Sequence, residues 1–109
     1  MGTNSPVVIK WAEINATSSG DTSVIAAVSG KKIRVTAITL VCSAAVGVGW
    51  KSGSNIKINA MPFAQNGGMA LEFVSPAHFF VETNAGEALI INLSVNSNVR
   101  GSLNYEEIG

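Results

Sequence analysis

Charge is scarce in this chain. Only 13% of its 109 residues are Asp, Glu, Lys or Arg, about half the usual share, and seven basic residues balance seven acidic ones. A neutral chain with a pI near 6.5 has no overall field to draw in nucleic acid or an anionic membrane. The single cysteine, Cys42, excludes an internal disulfide, and its place inside a hydrophobic run marks it as a buried thiol. One histidine, His78, and one aspartate, Asp21, leave a three-ligand zinc site dependent on groups far apart in sequence. Long apolar runs are missing as well. The longest, Ala44 to Trp50 (AAVGVGW), is far short of the roughly 20 residues that a membrane span needs. The opening MGTNSPVVIKWAE has neither the basic start nor the apolar stretch of a secretory signal. Gly2, followed by Asn4, Ser5 and Pro6, lacks the second signal that stable acyl anchoring takes.

Motifs of catalysis and cofactor binding are absent too. No G-x-S-x-G elbow exists to expose a nucleophile, and no aspartates recur at the two-residue spacing of a calcium loop. Gly47-x-Gly49-x-x-x-Gly53 is one residue longer than the dinucleotide fingerprint and precedes no helix able to hold a pyrophosphate. Glu13, Glu72, Glu82 and Glu87 stand alone at polar positions, while Glu106 and Glu107 point to opposite faces of any strand they continue. They read as solvated surface groups rather than as an acid-base pair. Lys31, Lys32 and Arg34 form the one basic cluster, without the interleaved aromatics of a nucleic-acid surface. The expectation is a protein that is not an enzyme, has no catalytic, cofactor or metal site, and binds neither nucleic acid nor membrane.

What the chain has is alternation. Hydrophobic residues make up 47% of it, and runs rich in Val, Ile and Thr recur every ten or so residues between glycine-containing turns. That is the pattern of sandwiches and barrels, not of alternating strands and helices. Val7 to Ile14 opens the series, and Thr22 to Val28 follows the turn Ser18-Ser19-Gly20-Asp21. Val46, Val48 and Trp50 alternate with Gly47 and Gly49, glycines that admit a close neighbour or relieve a bend. Pro62 argues against a central strand at that point, and Asn66-Gly67-Gly68 is the strongest hairpin turn. Pro76 ends the run Met69, Leu71, Phe73, after which Phe79, Val81 and Thr83, then Leu89, Ile91 and Leu93, then Val99, Leu103 and Tyr105 alternate in turn.

Ile33 to Ser43 is the longest run: Ile33, Val35, Ala37, Thr39 and Val41 oppose Arg34, Thr36, Ile38, Leu40 and Cys42. The expected inward set is Ile9, Trp11, Val35, Val41, Trp50, Leu71, Phe73, Leu89, Ile91 and Leu103. Ile38 to Cys42 and Ala88 to Leu93 are apolar on both alternating faces, so one face of each is left for a second partner. Ile38, Leu40, Phe80 and Ile90 are therefore the expected interface of a homo-oligomer.

Eight or more short strands in one domain spanning residues 1–109 fit a two-sheet antiparallel jelly-roll sandwich. An immunoglobulin-like sandwich is the structural alternative, weakened by the missing cysteine pair. Carbohydrate binding would need an aromatic platform from Trp11, Trp50 and Tyr105, yet all three fall in register with the apolar sets of their strands.

The stretch from about Val24 to Ile108 resembles small jelly-roll head-decoration, or cement, proteins of tailed bacteriophages. The resemblance is carried by Gly30-Lys31-Lys32-Ile33-Arg34-Val35, Ser52-Gly53, Asn66-Gly67-Gly68, Pro76-Ala77-His78-Phe79-Phe80 and Thr83. Gly86-Glu87-Ala88-Leu89, Leu93-Ser94 and Val99-Arg100-Gly101-Ser102-Leu103-Asn104-Tyr105 add to it. It implies a virion structural protein, assembled in the host cytoplasm, that forms trimers and bridges subunits of the major capsid protein. A tail or fibre-associated component and a carbohydrate-binding β-sandwich module are the alternatives.

Overall fold

The computed structural model describes residues 8–74 and 77–109. These form nine strands: β1 (Lys10–Ala16), β2 (Gly20–Ile25), β3 (Lys32–Cys42), β4 (Val46–Ser52), β5 (Asn55–Phe63), β6 (Gly68–Glu72), β7 (Val81–Glu82), β8 (Leu89–Leu93) and β9 (Val99–Ile108). One sheet runs β1-β9-β3-β6, with β7 also pairing β3, and the other runs β2-β8-β4-β5. All seven pairings are antiparallel. The architecture is the all-β, two-sheet sandwich that the alternation predicts. Val7, Pro76 and Gly2, each given a role from sequence, lie outside the described residues.

The core fills the space between the sheets. β8 sends Leu89, Ile91 and Leu93 inward, facing Ser52, Trp50 and Val48 of β4 in register. β9 contributes Val99 and Leu103, and β1 contributes Ile14 and Ala16. Trp50 is the largest fully buried side chain, and it meets Phe80 edge-to-face with ring centroids 5.9 Å apart. Its indole Nε1 has no hydrogen-bond partner among the described residues.

The long central strand changes phase part-way. Against β9, Val35 pairs Tyr105 and Ala37 pairs Asn104, so Thr36 is an extra residue, a β-bulge. Before it Ile33 and Val35 point inward; after it Ile38, Leu40 and Cys42 do. The bulge overturns two expectations together. Val41, expected in the core, is half exposed, and Ile38 and Leu40, expected at a subunit interface, are each 2% exposed inside this sandwich.

Other inward assignments fail at the sheet margins. In β1 the inward residues are Ala12, Ile14 and Ala16, opposite Leu103, Gly101 and Val99, so the preceding odd-numbered positions face out. Ile9 and Trp11 are accordingly exposed, Trp11 at 66%. Leu71 pairs Ile38 on the inner side but belongs to an edge strand, and it stays 44% exposed. Phe73, past the end of β6, is half-buried, with its N–H donating to the Thr36 carbonyl at 2.8 Å. Val35, Trp50, Leu89, Ile91 and Leu103 are buried as expected.

Three close approaches depend on glycine. Gly101 in β9 and Gly68 in β6 flank Leu40, and a Cβ on either would collide with β3 backbone: the Thr39 carbonyl oxygen for Gly101, the Leu40 carbonyl oxygen for Gly68. Gly49 likewise admits β5, where an added Cβ would lie 3.0 Å from the Ile58 carbonyl oxygen. β5, with Pro62, is an edge strand, as its proline requires. The Asn66-Gly67-Gly68 turn, with Asn66 at φ 64°, joins β5 of one sheet to β6 of the other instead of closing a hairpin.

Candidate functional site

Polar side chains gather in three places. On the outer side of β3, Arg34 Nε donates to Glu82 Oε2 at 2.7 Å, Arg34 Nη1 lies 4.0 Å from Glu106 Oε1, and the guanidinium carbon sits 5.5 Å from the Phe79 ring centroid. β7 and β9 pair with β3 on its two sides, Glu82 and Glu106 both opposite Arg34, which is what brings carboxylates from distant segments to one cation. Glu106, expected to be solvated, is 4% exposed.

At one end of the sandwich the Ser52 hydroxyl donates to Glu87 Oε1 at 2.5 Å and accepts the Asn84 N–H at 2.9 Å. The Ser52 bond, helped by the amides of Asn84 and Asn55 and by nearby Lys57, outweighs desolvation and holds the Glu87 carboxyl below its ordinary value. This network ties the segment before β8 to the β4–β5 hairpin.

The third lies on the outer face of the β2-β8-β4-β5 sheet. Lys51 crosses β8 to place Nζ 2.8 Å from Asp21 Oδ2 on β2, and Asn92 Nδ2 donates to Asp21 Oδ1 at 2.6 Å. Lys51 and then Asn92 keep the Asp21 carboxyl below its ordinary value. Beside them opens a shallow cleft of about 270 Å³ lined by Gly49, Lys51, Ile56, Asn59, Ala60 and Asn92. Lys51, Asp21 and Asn92 engage one another across strands of their own sheet, and the glycine floor is explained by the approach of β5.

Exposed apolar side chains have a different distribution: Ile56 stands on β5 and Val95 follows β8, while others gather at two edges of one sheet. Val8, Ile9 and Trp11 lie at the open edge formed by β1, and Leu71, Val74 and Phe79 lie along the β6–β7 side, at the opposite edge of the same sheet. Val8 is 64% and Val74 76% exposed. Between the two edges the outer face carries Ala37, Thr39, Ser102 and Ala70, side by side in register, with half-exposed Val41 opposite Arg100 further along β3.

The sequence-predicted interface set does not form one surface. Ile38 and Leu40 are core, Phe80 is half-buried against Trp50, and Ile90 is half-buried on the outer face of the other sheet, opposite Lys51 and Ser23. The three candidate platform aromatics are also dispersed: Trp50 is inside, Tyr105 is half-buried against the core, and Trp11 stands on the outer face of the β1 edge. Arg34 is taken up by its carboxylates, which dissolves the basic cluster. His78 is exposed, its N–H donating to the Val74 carbonyl at 3.0 Å. Sequence reasoning missed the Arg34 and Asp21 clusters because their members meet only through strand pairing. The β1 edge was legible in part: Ile9, Lys10 and Trp11 put one charge between two large apolar residues.

Among the described residues no three His, Cys, Asp or Glu side chains come together in a group able to hold a metal ion. Comparison with protein-family models, curated proteins and solved structures finds no match.

Proposed function

We propose that this protein is a non-enzymatic structural component of a virion, a decoration or cement protein that works as a homo-oligomer, with three copies expected, and bridges subunits of a phage major capsid protein. The sandwich is read as a jelly roll: the orders β1-β9-β3-β6 and β2-β8-β4-β5 place first and last strands side by side and alternate the chain between sheets, as a pair of Greek keys does. That topology supports the phage resemblance of the sequence.

The observation that carries the oligomer is the apolar row at the β1 edge, Val8, Ile9 and Trp11, on a protein whose charges sum to zero. Exposed rows of this kind on an unpaired strand edge are ones that soluble monomers blunt with charge or cover. Burial stabilises at about 25 cal/mol per Å², so an interface of some hundreds of Å² competes with the entropy lost on association.

Light scattering coupled to size exclusion tests the assembly, and a species several times 11.3 kDa is expected at tens of micromolar. Cosedimentation with capsids lacking the protein then tests decoration. Saturable binding to the shell is the expected result, and failure to bind any capsid surface would favour a tail component or a carbohydrate-binding protein.

A further inference from the structure

The two apolar edges belong to one sheet, and they differ. The β1 edge carries Trp11 on its outer face, with Val8 and Ile9 just before the strand, whereas the β6–β7 side carries Leu71 in an inward register, with Val74 and Phe79 between the two strands. We infer that the partner for each edge is the other edge of a second copy of this chain, β1 of one subunit lying antiparallel beside β6 of the next, so that the assembly is a head-to-tail ring. This rests on the reading of the protein as a homo-oligomer and adds which surfaces meet.

Strand direction supports the pairing. Because β1, β9, β3 and β6 are antiparallel in succession, β1 and β6 run in opposite directions. A copy added alongside with the same orientation therefore sets its β1 antiparallel to the β6 already there, which continues the hydrogen-bonding pattern of the sheet. Both subunits then also present the same outer face to the same side.

Symmetry and area favour a single repeated contact. A twofold contact β1 to β1 leaves every β6 edge bare, and covering β6 as well then takes a second, different twofold contact. One heterologous contact satisfies both edges and closes when its rotation divides a full turn. Each edge offers on the order of 300 Å² of exposed apolar surface, judged from the usual size of such side chains. A single contact therefore buries about half of what a stable interface needs. A ring gives every subunit two such contacts, and zero net charge leaves no overall repulsion to oppose it.

The test compares the wild type with Trp11→Glu and Leu71→Glu, alone and mixed, by light scattering, with circular dichroism checking that each variant is folded. Expected are an oligomeric wild type, two monomeric variants, and a two-chain species in the equimolar mixture at high concentration, because each variant keeps the edge the other has lost. Either variant keeping the wild-type mass overturns the inference. A chain carrying both Glu13→Cys and Ala70→Cys gives a second reading, since these exposed positions lie in one cross-strand row through Ser102 and Thr39. A bismaleimide should link it into ladders and closed rings, while each single variant stays unlinked. Linking of the Glu13→Cys variant to itself, or an unlinked double variant in an oligomeric preparation, overturns the head-to-tail contact. A monomeric wild type instead removes the assembly reading itself, and this inference with it.

Discussion

Leu40 shows how little room one position can have. Its backbone is approached from both sides by strands that carry glycine at the point of contact, Gly101 and Gly68. Gly101→Ala puts a methyl group into the Thr39 carbonyl, where only backbone can move, so a loss of about 3 kcal/mol or a failure to fold is expected in urea titration. Cys42 is the opposite case, a residue whose chemistry is silenced by packing. Its thiol is 1% exposed and donates to the Ala64 carbonyl at 3.2 Å. A thiol reagent should leave the native protein unmodified and label one site per chain after denaturation. The two tryptophans divide the fluorescence between them, Trp50 enclosed and Trp11 66% exposed. Dilution of the oligomer should shift the emission to the red through Trp11 alone, and Trp11→Phe should abolish the shift.

Elements are joined by side chains whose charge is acid-sensitive. Asp21 links β2 to β4 through Lys51, and Glu87 links the segment before β8 to Ser52 of β4. Both carboxyls are held below their ordinary values, 3.8 for Asp21 and 4.5 for Glu87. A carboxylate of depressed pKa stabilises the fold above its unfolded pKa, and that contribution is lost as pH falls through the folded value. The urea midpoint should hold steady down to about pH 5 and fall below it. The doubly substituted Asp21→Asn, Glu87→Gln chain should show a shallower fall, and salt should weaken the Asp21 part because that pair is largely solvent-facing. Strand identity was legible in the sequence wherever one face was consistently apolar, as in β8, where Leu89, Ile91 and Leu93 fall inward as read. The phase of β3 was not. Nothing in Val35-Thr36-Ala37 announces a bulge, and because Ile38 to Cys42 is apolar at nearly every position, both phases read equally well. The expected interface at Ile38 and Leu40 was a product of that ambiguity. Trp11 was misplaced for a related reason: Ala12 and Ala16 are too small to mark the buried side of β1, so the large residue drew the assignment.

For the whole molecule, sequence and structure agree on the sandwich, while the surface on which the proposed assembly rests came from burial alone. Alternation reports which residues are apolar, but only the sheet order says which strands are edges, and edge position leaves Leu71 exposed in an inward register. The same order has a kinetic consequence. Among the described residues β1 has one ladder partner, β9, and its ion pair Lys10 to Glu107 spans 97 residues of chain. Closing so long a loop is entropically unfavourable until the intervening strands are in place. β1 should therefore dock late and be the first strand to fray, and its amides should exchange with deuterium sooner than those of β3, which is paired along both sides. On the proposed assembly, a half-finished chain has no ordered β1 to present, so the topology itself would discourage premature association of nascent copies, and only a completed subunit would offer both halves of the contact.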